Sequence, residues 1–142
     1  NANVRKVESL LKLARETAIN ERRAIVITFT MPNQITLTRL NLPSGNTQVA
    51  QGFLENNMSF MLFSGMPDTP DSFGRASAIS FGSATQIMFT SDGMLTDQSG
   101  NPLNGTVFLG QAATPMTARA LTVFGPTATL RSYRWSGSSW SH

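Results

Sequence analysis

The 142-residue chain has no cysteine, one histidine and few charged residues. Without cysteine it can form no disulfide, hold no thiolate-bound metal and use no cysteine nucleophile. The one histidine, His142, is the last residue, so we expect neither a histidine-ligated metal nor imidazole catalysis. No apolar run reaches the roughly 18 residues of a membrane-spanning helix, so none of this sequence is expected to cross a membrane.

Charged residues make up 13% of the chain and apolar residues 40%. A disordered, highly charged tail is therefore excluded. Residues 1–23 hold six basic and three acidic side chains, residues 24–117 two basic and five acidic, and residues 118–142 three basic and none acidic. A basic end can meet phosphate or an acidic partner, although solvated surface charge is the simpler interpretation.

Residues 3–23 have the apolar spacing of an amphipathic helix and contain neither glycine nor proline. Apolar side chains recur at alternating steps of three and four, which places them on one stripe. A single helix cannot bury such a stripe alone, so it must pack on something else. The stripe consists of Val4, Val7, Leu11, Ala14 and Ala18.

The rest of the chain is typical of β-structure, with β-branched and aromatic runs separated by turns. We expect a hairpin of residues 24–31 and 34–40, turned at Pro32 and Asn33. The other expected strands are 58–63, 78–81, 86–90, 106–109, 119–124 and 128–135, with a short return strand from Trp140. A helix followed by about eight short strands predicts an α+β fold. We expect one domain, 1–142, with a helix at 3–23 and a β-rich head at 24–142.

Catalytic and ligand-binding motifs are scarce. Asp68 and Asp71 could pair for acid–base chemistry, but aspartates that stabilise turns are the simpler interpretation. The oxygen-rich turns 91–93 and 97–101 could suggest calcium, although their spacing is not that of an EF-hand. Glycine-rich phosphate loops are absent from the sequence. We therefore predict no enzyme, no metal, no cofactor and no small-molecule substrate.

The C-terminal segment combines arginines with aromatic side chains and contains no acid. On a strand, Arg131, Tyr133 and Trp135 share one face, and Arg119 and Arg134 lie nearby in sequence. Such a set can bind nucleic acid through phosphate contacts and base stacking. In the alternative interpretation the aromatics cover the edge of the core and the arginines extend into solvent.

Several motifs occur in an order that is typical of one family. The helix motif Leu-x-x-Ala-Arg-x-x-Ala-Ile at 11–19 leads into a strand, and Phe-Thr-Ser-Asp-Gly follows at 89–93. Gly-Thr-Val at 105–107, Ala-Arg-Ala-Leu-Thr-Val at 118–123 and Arg-x-Tyr-Arg-Trp at 131–135 complete the series. Over residues 4–135 the chain resembles the GspH/FimT family of minor pseudopilins, which belong to type II secretion systems and type IV pili.

The resemblance implies a structural subunit without catalysis. Family members lose a short leader, are methylated at the new N-terminus, and are held in the inner membrane by an apolar helix until they enter a filament. Residues 3–23 would then be the C-terminal half of that helix, without its anchor, below a periplasmic β-sandwich-like head. The subunit would sit at or near the filament tip and contact other major and minor pseudopilins. We expect the C-terminal half of the apolar stripe to pack on the protein's own sheet, and the stripe, Val4 and Val7 above all, to include the assembly face.

Two departures from the family leave alternatives open. Some FimT-like proteins resemble DNA receptors with a Gly-Arg-x-Arg pattern, whereas here Leu130 replaces the glycine and the arginines, Arg131 and Arg134, are one residue further apart. Residues 53–85 are rich in methionine and phenylalanine. We interpret this stretch chiefly as core, with a variable partner-binding loop or an apolar ligand pocket as the alternatives.

Overall fold

The computed structural model describes residues 2–41, 43–82, 84 and 86–141. Over these residues one helix is followed by eleven strands, arranged as an α+β fold. The elements are α1 (Ala2–Glu21), β1 (Ile25–Thr30), β2 (Gln34–Leu40), β3 (Asn46–Phe53), β4 (Met58–Phe60), β5 (Ile79–Ser80), β6 (Ile87–Phe89), β7 (Leu95–Thr96), β8 (Asn104–Gln111), β9 (Thr114–Phe124), β10 (Thr129–Trp135) and β11 (Trp140–Ser141). The predicted fold class is confirmed, and every predicted strand is present with adjusted ends.

The helix ends with backbone geometry that closes its last turn. Arg22 adopts a left-handed conformation with φ of 55°. The amide of Arg23 then donates to the carbonyl of Ala18 at 3.3 Å. This six-to-one hydrogen bond is the Schellman pattern, which satisfies a carbonyl that the helix leaves unpaired. The chain therefore turns directly from α1 into β1.

The strands form two antiparallel sheets. Sheet A has the order β3-β2-β1-β6-β7, and sheet B has the order β11-β10-β9-β8-β4, with β5 also paired to β8. The predicted hairpin is the β1–β2 pair, in which Ile27 lies opposite Leu37. In sheet B, β9 pairs along most of its length with both β8 and β10. The predicted return strand is β11, which pairs with the end of β10.

The main core lies between α1 and the two sheets. Alternate residues of each central strand point into it, as the two-residue period of a strand requires. Its largest fully buried side chains are Leu11, Ile25, Ile35, Leu37, Phe89, Leu95, Leu109 and Leu121. The helix is therefore the third layer of the head, and it joins both sheets.

A second, smaller core lies on the opposite face of sheet B, under a loop that we name the strap (residues 61–78). Both ends of the strap bond the same residue: the amide of Met61 donates to the Phe108 carbonyl at 3.0 Å, and the Phe108 amide donates to the Ala78 carbonyl at 2.8 Å. The strap thus leaves sheet B and rejoins it beside Phe108. Between these two points it crosses the outer face of sheet B, which is the face opposite the main core. Met66 of the strap packs there on the residues beneath it, which are Phe108, Ala118, Ala120, Tyr133, Trp135 and Trp140.

Two strands were not predicted. The longer is β3, a polar edge strand that pairs with β2. Its sequence, Asn-Thr-Gln-Val-Ala-Gln-Gly-Phe, has little of the β-branched and aromatic character that predicts a strand. The shorter is β7, whose two residues carry too little pattern to detect.

In the described part of the chain no helix has the length and apolar character needed to cross a membrane.

Candidate functional site

The apolar stripe of α1 packs entirely against its own head. Val4, Val7, Leu11, Ala14 and Ala18 are all at most 4% exposed and belong to the main core. These side chains, which the sequence analysis expects to include the assembly face, contact the sheets of the same chain in this structure, as expected for the C-terminal half of the stripe. The other side of this part of the helix is the accessible one.

The outward side of α1 is mixed in character. It carries the exposed aliphatic Leu13, at 40% exposure, and at its edge Ile19, at 38% exposure, whose side chain reaches the Gly93 turn. Around them lie charged residues of both signs, including Arg5, Lys12 and Glu16, which are also exposed. A surface with small apolar contacts and flanking charges of both signs can pair with a similar helix.

The first turn of α1 is fastened to the segment after β3. The Asn3 side chain donates to the Glu55 carbonyl at 3.2 Å and accepts from the Glu55 amide at 2.7 Å. The Lys6 ammonium donates to the Phe53 carbonyl and to the Glu55 carboxylate, both at 3.0 Å. The beginning of the described helix is therefore held to sheet A by polar contacts as well as by its stripe.

Two of the sequence motifs meet at the other end of the helix. The Arg15 guanidinium, from the motif at 11–19, donates to the Gly93 carbonyl, from the motif at 89–93, at 3.0 Å. Gly93 has φ of +84°, and a Cβ built there would lie 3.0 Å from Arg15 Nε. A residue with a side chain would be both strained and crowded at this position. The contact between the two motifs thus positions the helix on sheet A.

The predicted C-terminal patch is divided between two faces of sheet B. Arg131, Tyr133 and Trp135 do share one face, but Tyr133 and Trp135 are only 3% and 9% exposed. They pack in the second core, where the Trp135 ring meets Trp140 at a centroid distance of 5.2 Å. These rings are not free to stack on bases, which removes one of the two contacts expected for nucleic acid.

The premise that no acid lies near this patch is wrong, since the strap brings Asp71 to it. The Asp71 carboxylate accepts hydrogen bonds from the Thr122 hydroxyl at 2.6 Å, the Tyr133 hydroxyl at 2.9 Å and the Arg131 guanidinium at 2.9 Å. Burial opposes ionisation, but the bonds from Thr122 and Tyr133 and the charge of Arg131 outweigh it and lower the pKa of Asp71. The contact between Asp71 and Arg131 was not predicted from the sequence. The only indication of it was the charge distribution, with an excess of acids in residues 24–117 and no acid in residues 118–142.

The same network affects its donors. Burial first, and then the bond to Asp71, raises the pKa of the Tyr133 hydroxyl. The bond to Tyr133, followed by the charge of Asp71, raises the pKa of Arg131. All three groups therefore keep their ordinary charge state at neutral pH, and Arg131 is a paired cation rather than an open one.

Arg119 and Arg134 lie on the other face of sheet B, directly opposite each other on β9 and β10. Neither forms an ion pair among the residues that the structure describes. The Arg119 guanidinium donates to the carbonyls of Met116 and Ala118 at 3.1 and 2.9 Å. Burial, and then the charge of Arg134, lowers the pKa of Arg119. Like charges across a strand pair are unfavourable, so an anion between them would be stabilised.

The remaining aspartates hold turns. Asp68 accepts from the amides of Thr69 and Gly74 at 2.8 and 2.9 Å. Asp97 accepts from the amides of Ser99 and Asn101 at 2.9 and 3.0 Å, and the bond from Asn101 is the main reason that the pKa of Asp97 is lowered. Within the described ranges no group of three or more acidic, histidine or cysteine side chains could hold a metal. His142 lies outside those ranges.

The methionine- and phenylalanine-rich stretch 53–85 is largely core, as interpreted from the sequence. Met58, Phe60 and Phe81 belong to the main core, and Met66 to the second. Phe53 is 46% exposed, and Met61, Phe63 and Phe73 are half-buried. The Phe73 ring stacks on Phe124. The strap nevertheless presents one face to solvent, so it both covers a core and forms a surface.

Known proteins share both the sequence pattern and the fold of this chain. The family model described as type II transport protein GspH matches residues 3–127. Among solved structures, the minor pseudopilin EpsH from the type 2 secretion system of Vibrio cholerae superposes with a TM-score of 0.60 at 16% identity, covering 92% of each chain. The type IV minor pilin FimU of Pseudomonas aeruginosa superposes with a TM-score of 0.58 at 15% identity, covering 99% of this chain and 96% of that one. No curated protein sequence gives a significant match.

Proposed function

Since the chain belongs to the GspH family of type II transport proteins, we propose that it is a minor pseudopilin placed at or near the tip of a secretion pseudopilus or type IV pilus. In this role it is a structural subunit that acts by contacts with other pseudopilins or pilins, and it catalyses nothing. The head lies in the periplasm or on the emerging filament, and the subunit is held in the inner membrane before assembly.

One observation carries the proposal for how the subunit assembles. The whole apolar stripe of α1 is used inside the head, while the outward side leaves Leu13 exposed among charges of both signs. We therefore assign the neighbour contact to the outward side. Helices packed side by side bury small apolar contacts in the middle and place charged residues at the rim.

Site-specific photo-crosslinking in the host tests this assignment. The full gene is expressed with a benzophenone amino acid in place of Leu13, and in a matched control in place of Met31, which is 53% exposed on the β1–β2 hairpin. We expect adducts with another pilin-like subunit from position 13, identified by mass spectrometry. Adducts from position 31 without any from position 13 would show that the helix is not the contact.

The tip position needs a separate measurement. Immunogold labelling of sheared filaments should mark one end, and the protein should be present in far fewer copies than the main subunit. Labelling along the filament length would contradict the proposed position at the tip.

Fractionation of cells that express the full gene, with and without the filament genes, tests retention in the inner membrane before assembly.

DNA binding is the second candidate function, and the unpaired arginines opposite each other on β9 and β10 favour it. It would use Arg119 and Arg134, because Arg131 lies on the other face of the sheet and the aromatic rings are buried. Two phosphate contacts predict weak binding, with a slope of about −2 for log K against log salt. In fluorescence anisotropy, Arg119→Gln with Arg134→Gln should abolish binding, while Arg131→Gln should leave it unchanged. Equal losses for both variants, or no binding by the parent, would exclude this site.

A further inference from the structure

The strap and sheet B enclose a cavity that no function above uses. Its volume is about 170 Å³, below the roughly 300 Å³ at which drug-sized ligands are usually bound. The floor consists of two cross-strand pairs, Thr122 with Arg131 and Phe124 with Thr129. Asp71 and Phe73 of the strap form the wall. The cavity is therefore of a size for one side chain, and it is built from the strap and from the β9–β10 hairpin, which are distant in sequence.

The polar end of the cavity presents donors rather than acceptors. The Asp71 side chain is only 12% exposed and already accepts three hydrogen bonds, whereas the Arg131 side chain is 57% exposed. A guanidinium has five N–H donors, so Arg131 keeps donors for a second acceptor. Because Asp71 and Tyr133 hold its guanidinium in place, little side-chain entropy remains to be lost when it binds that acceptor.

The other end of the cavity is apolar. The rings of Phe73 and Phe124 are stacked at a centroid distance of 6.5 Å and an interplanar angle of 28°. Phe124 is 42% exposed, although it is a large aromatic residue. Stacked rings at the mouth of a cavity provide the apolar and aromatic contact that anchors a partner side chain.

We propose that this cavity receives one apolar side chain of a neighbouring protein subunit, while a carboxylate next to that side chain pairs with Arg131. Charge complementarity selects this occupant: the accessible group is the arginine, and the acid that neutralises it is shielded. In a partner segment that has an aromatic or aliphatic residue beside Asp or Glu, the apolar side chain can contact Phe73 and Phe124 while the carboxylate pairs with Arg131. The inference rests on the proposed function only for the identity of that subunit as a filament component.

A small probe with the same chemistry tests the site directly. The ¹⁵N-labelled chain is titrated with 3-phenylpropanoate, and the neutral 3-phenylpropan-1-ol serves as the shape-matched control. We expect saturable shifts confined to residues 71–74, 122–124 and 129–131, with about fivefold tighter binding of the carboxylate, as an exposed ion pair allows. Scattered or non-saturating shifts, or equal binding of the two probes, would overturn the proposal.

Variants on both ends of the cavity keep the result interpretable. Arg131→Gln should lower the affinity for 3-phenylpropanoate to that for the alcohol, and Phe124→Ser should weaken both probes. Arg134→Gln is the matched control, because Arg134 is three residues along the same strand and on its other face. Unchanged binding by both Arg131→Gln and Phe124→Ser would refute the site. These titrations involve no filament, so their failure is separate from failure of the crosslinking experiment.

Discussion

Replacing Asp71 by asparagine should destabilise the chain at neutral pH by about 2 kcal/mol, since a hydrogen bond to a charged group contributes about 1.5–3 kcal/mol. Asp71 accepts three hydrogen bonds, from Thr122, Tyr133 and Arg131. Asparagine keeps the shape and one acceptor oxygen but loses the charge. The bonds from Thr122 and Tyr133 account for most of the loss, because the pair with the exposed Arg131 is screened by solvent. The retained oxygen recovers part of it.

The effect must depend on pH in one direction. The pKa of Asp71 is lowered in the folded state, so the folded chain favours the ionised carboxyl more than the unfolded chain does. Its contribution is present in full above the unfolded pKa of about 3.9 and is lost as pH falls through the lower folded value. The difference in stability between the parent chain and the Asp71→Asn variant should therefore shrink below about pH 4.

Urea unfolding followed by tryptophan fluorescence measures this difference, since Trp135 and Trp140 lie in the second core beneath the strap. Comparing parent and variant at each pH cancels the other carboxyls. Asp92→Asn is the control, because Asp92 is exposed and accepts a hydrogen bond only from the neighbouring Thr90 hydroxyl among the described residues, and it should change stability far less than Asp71→Asn does. A loss for Asp71→Asn that is equally large at pH 7 and at pH 2.5 would refute the role of the charge.

Two further predictions concern the helix. Gly93→Ala should cost about 1–3 kcal/mol, because it adds a left-handed backbone penalty to a contact with Arg15; Gly100→Ala, at a similar φ in open space, should show only the backbone part by urea titration. Leu11→Ala should cost about 2–5 kcal/mol, whereas the 40%-exposed Leu13 should tolerate alanine with little change. Similar losses at both leucines would mean that the helix face is assigned incorrectly.

The sequence was sufficient to predict those features that depend on local spacing. The steps of three and four along α1 identified the five apolar side chains that the helix buries, and the packing of their C-terminal half on the chain's own sheets was expected as well. The alternation of β2 predicted its hairpin with β1. Strand β3 escaped detection because pairing with β2, rather than its own composition, makes it a strand.

Contacts between distant segments could not be predicted in this way. Asp71 and Arg131 are 60 residues apart, and no local pattern indicates that the strap turns back across sheet B. The arginine and aromatic residues of the C-terminus therefore looked like an open basic patch. In the structure one arginine is paired, and the two rings belong to a core.

The motifs that carry the family resemblance are used inside the molecule. Arg15 and Gly93 join the helix to sheet A, and the apolar residues of the motifs at 105–107 and 118–123 are buried. The surfaces that we assign to partners, the outward side of α1 and the cavity beneath the strap, draw mainly on residues outside those buried positions. Substitutions within the buried motif residues should therefore act first on stability. Substitutions at Leu13 or Phe124 should instead change which subunit binds while leaving the fold intact.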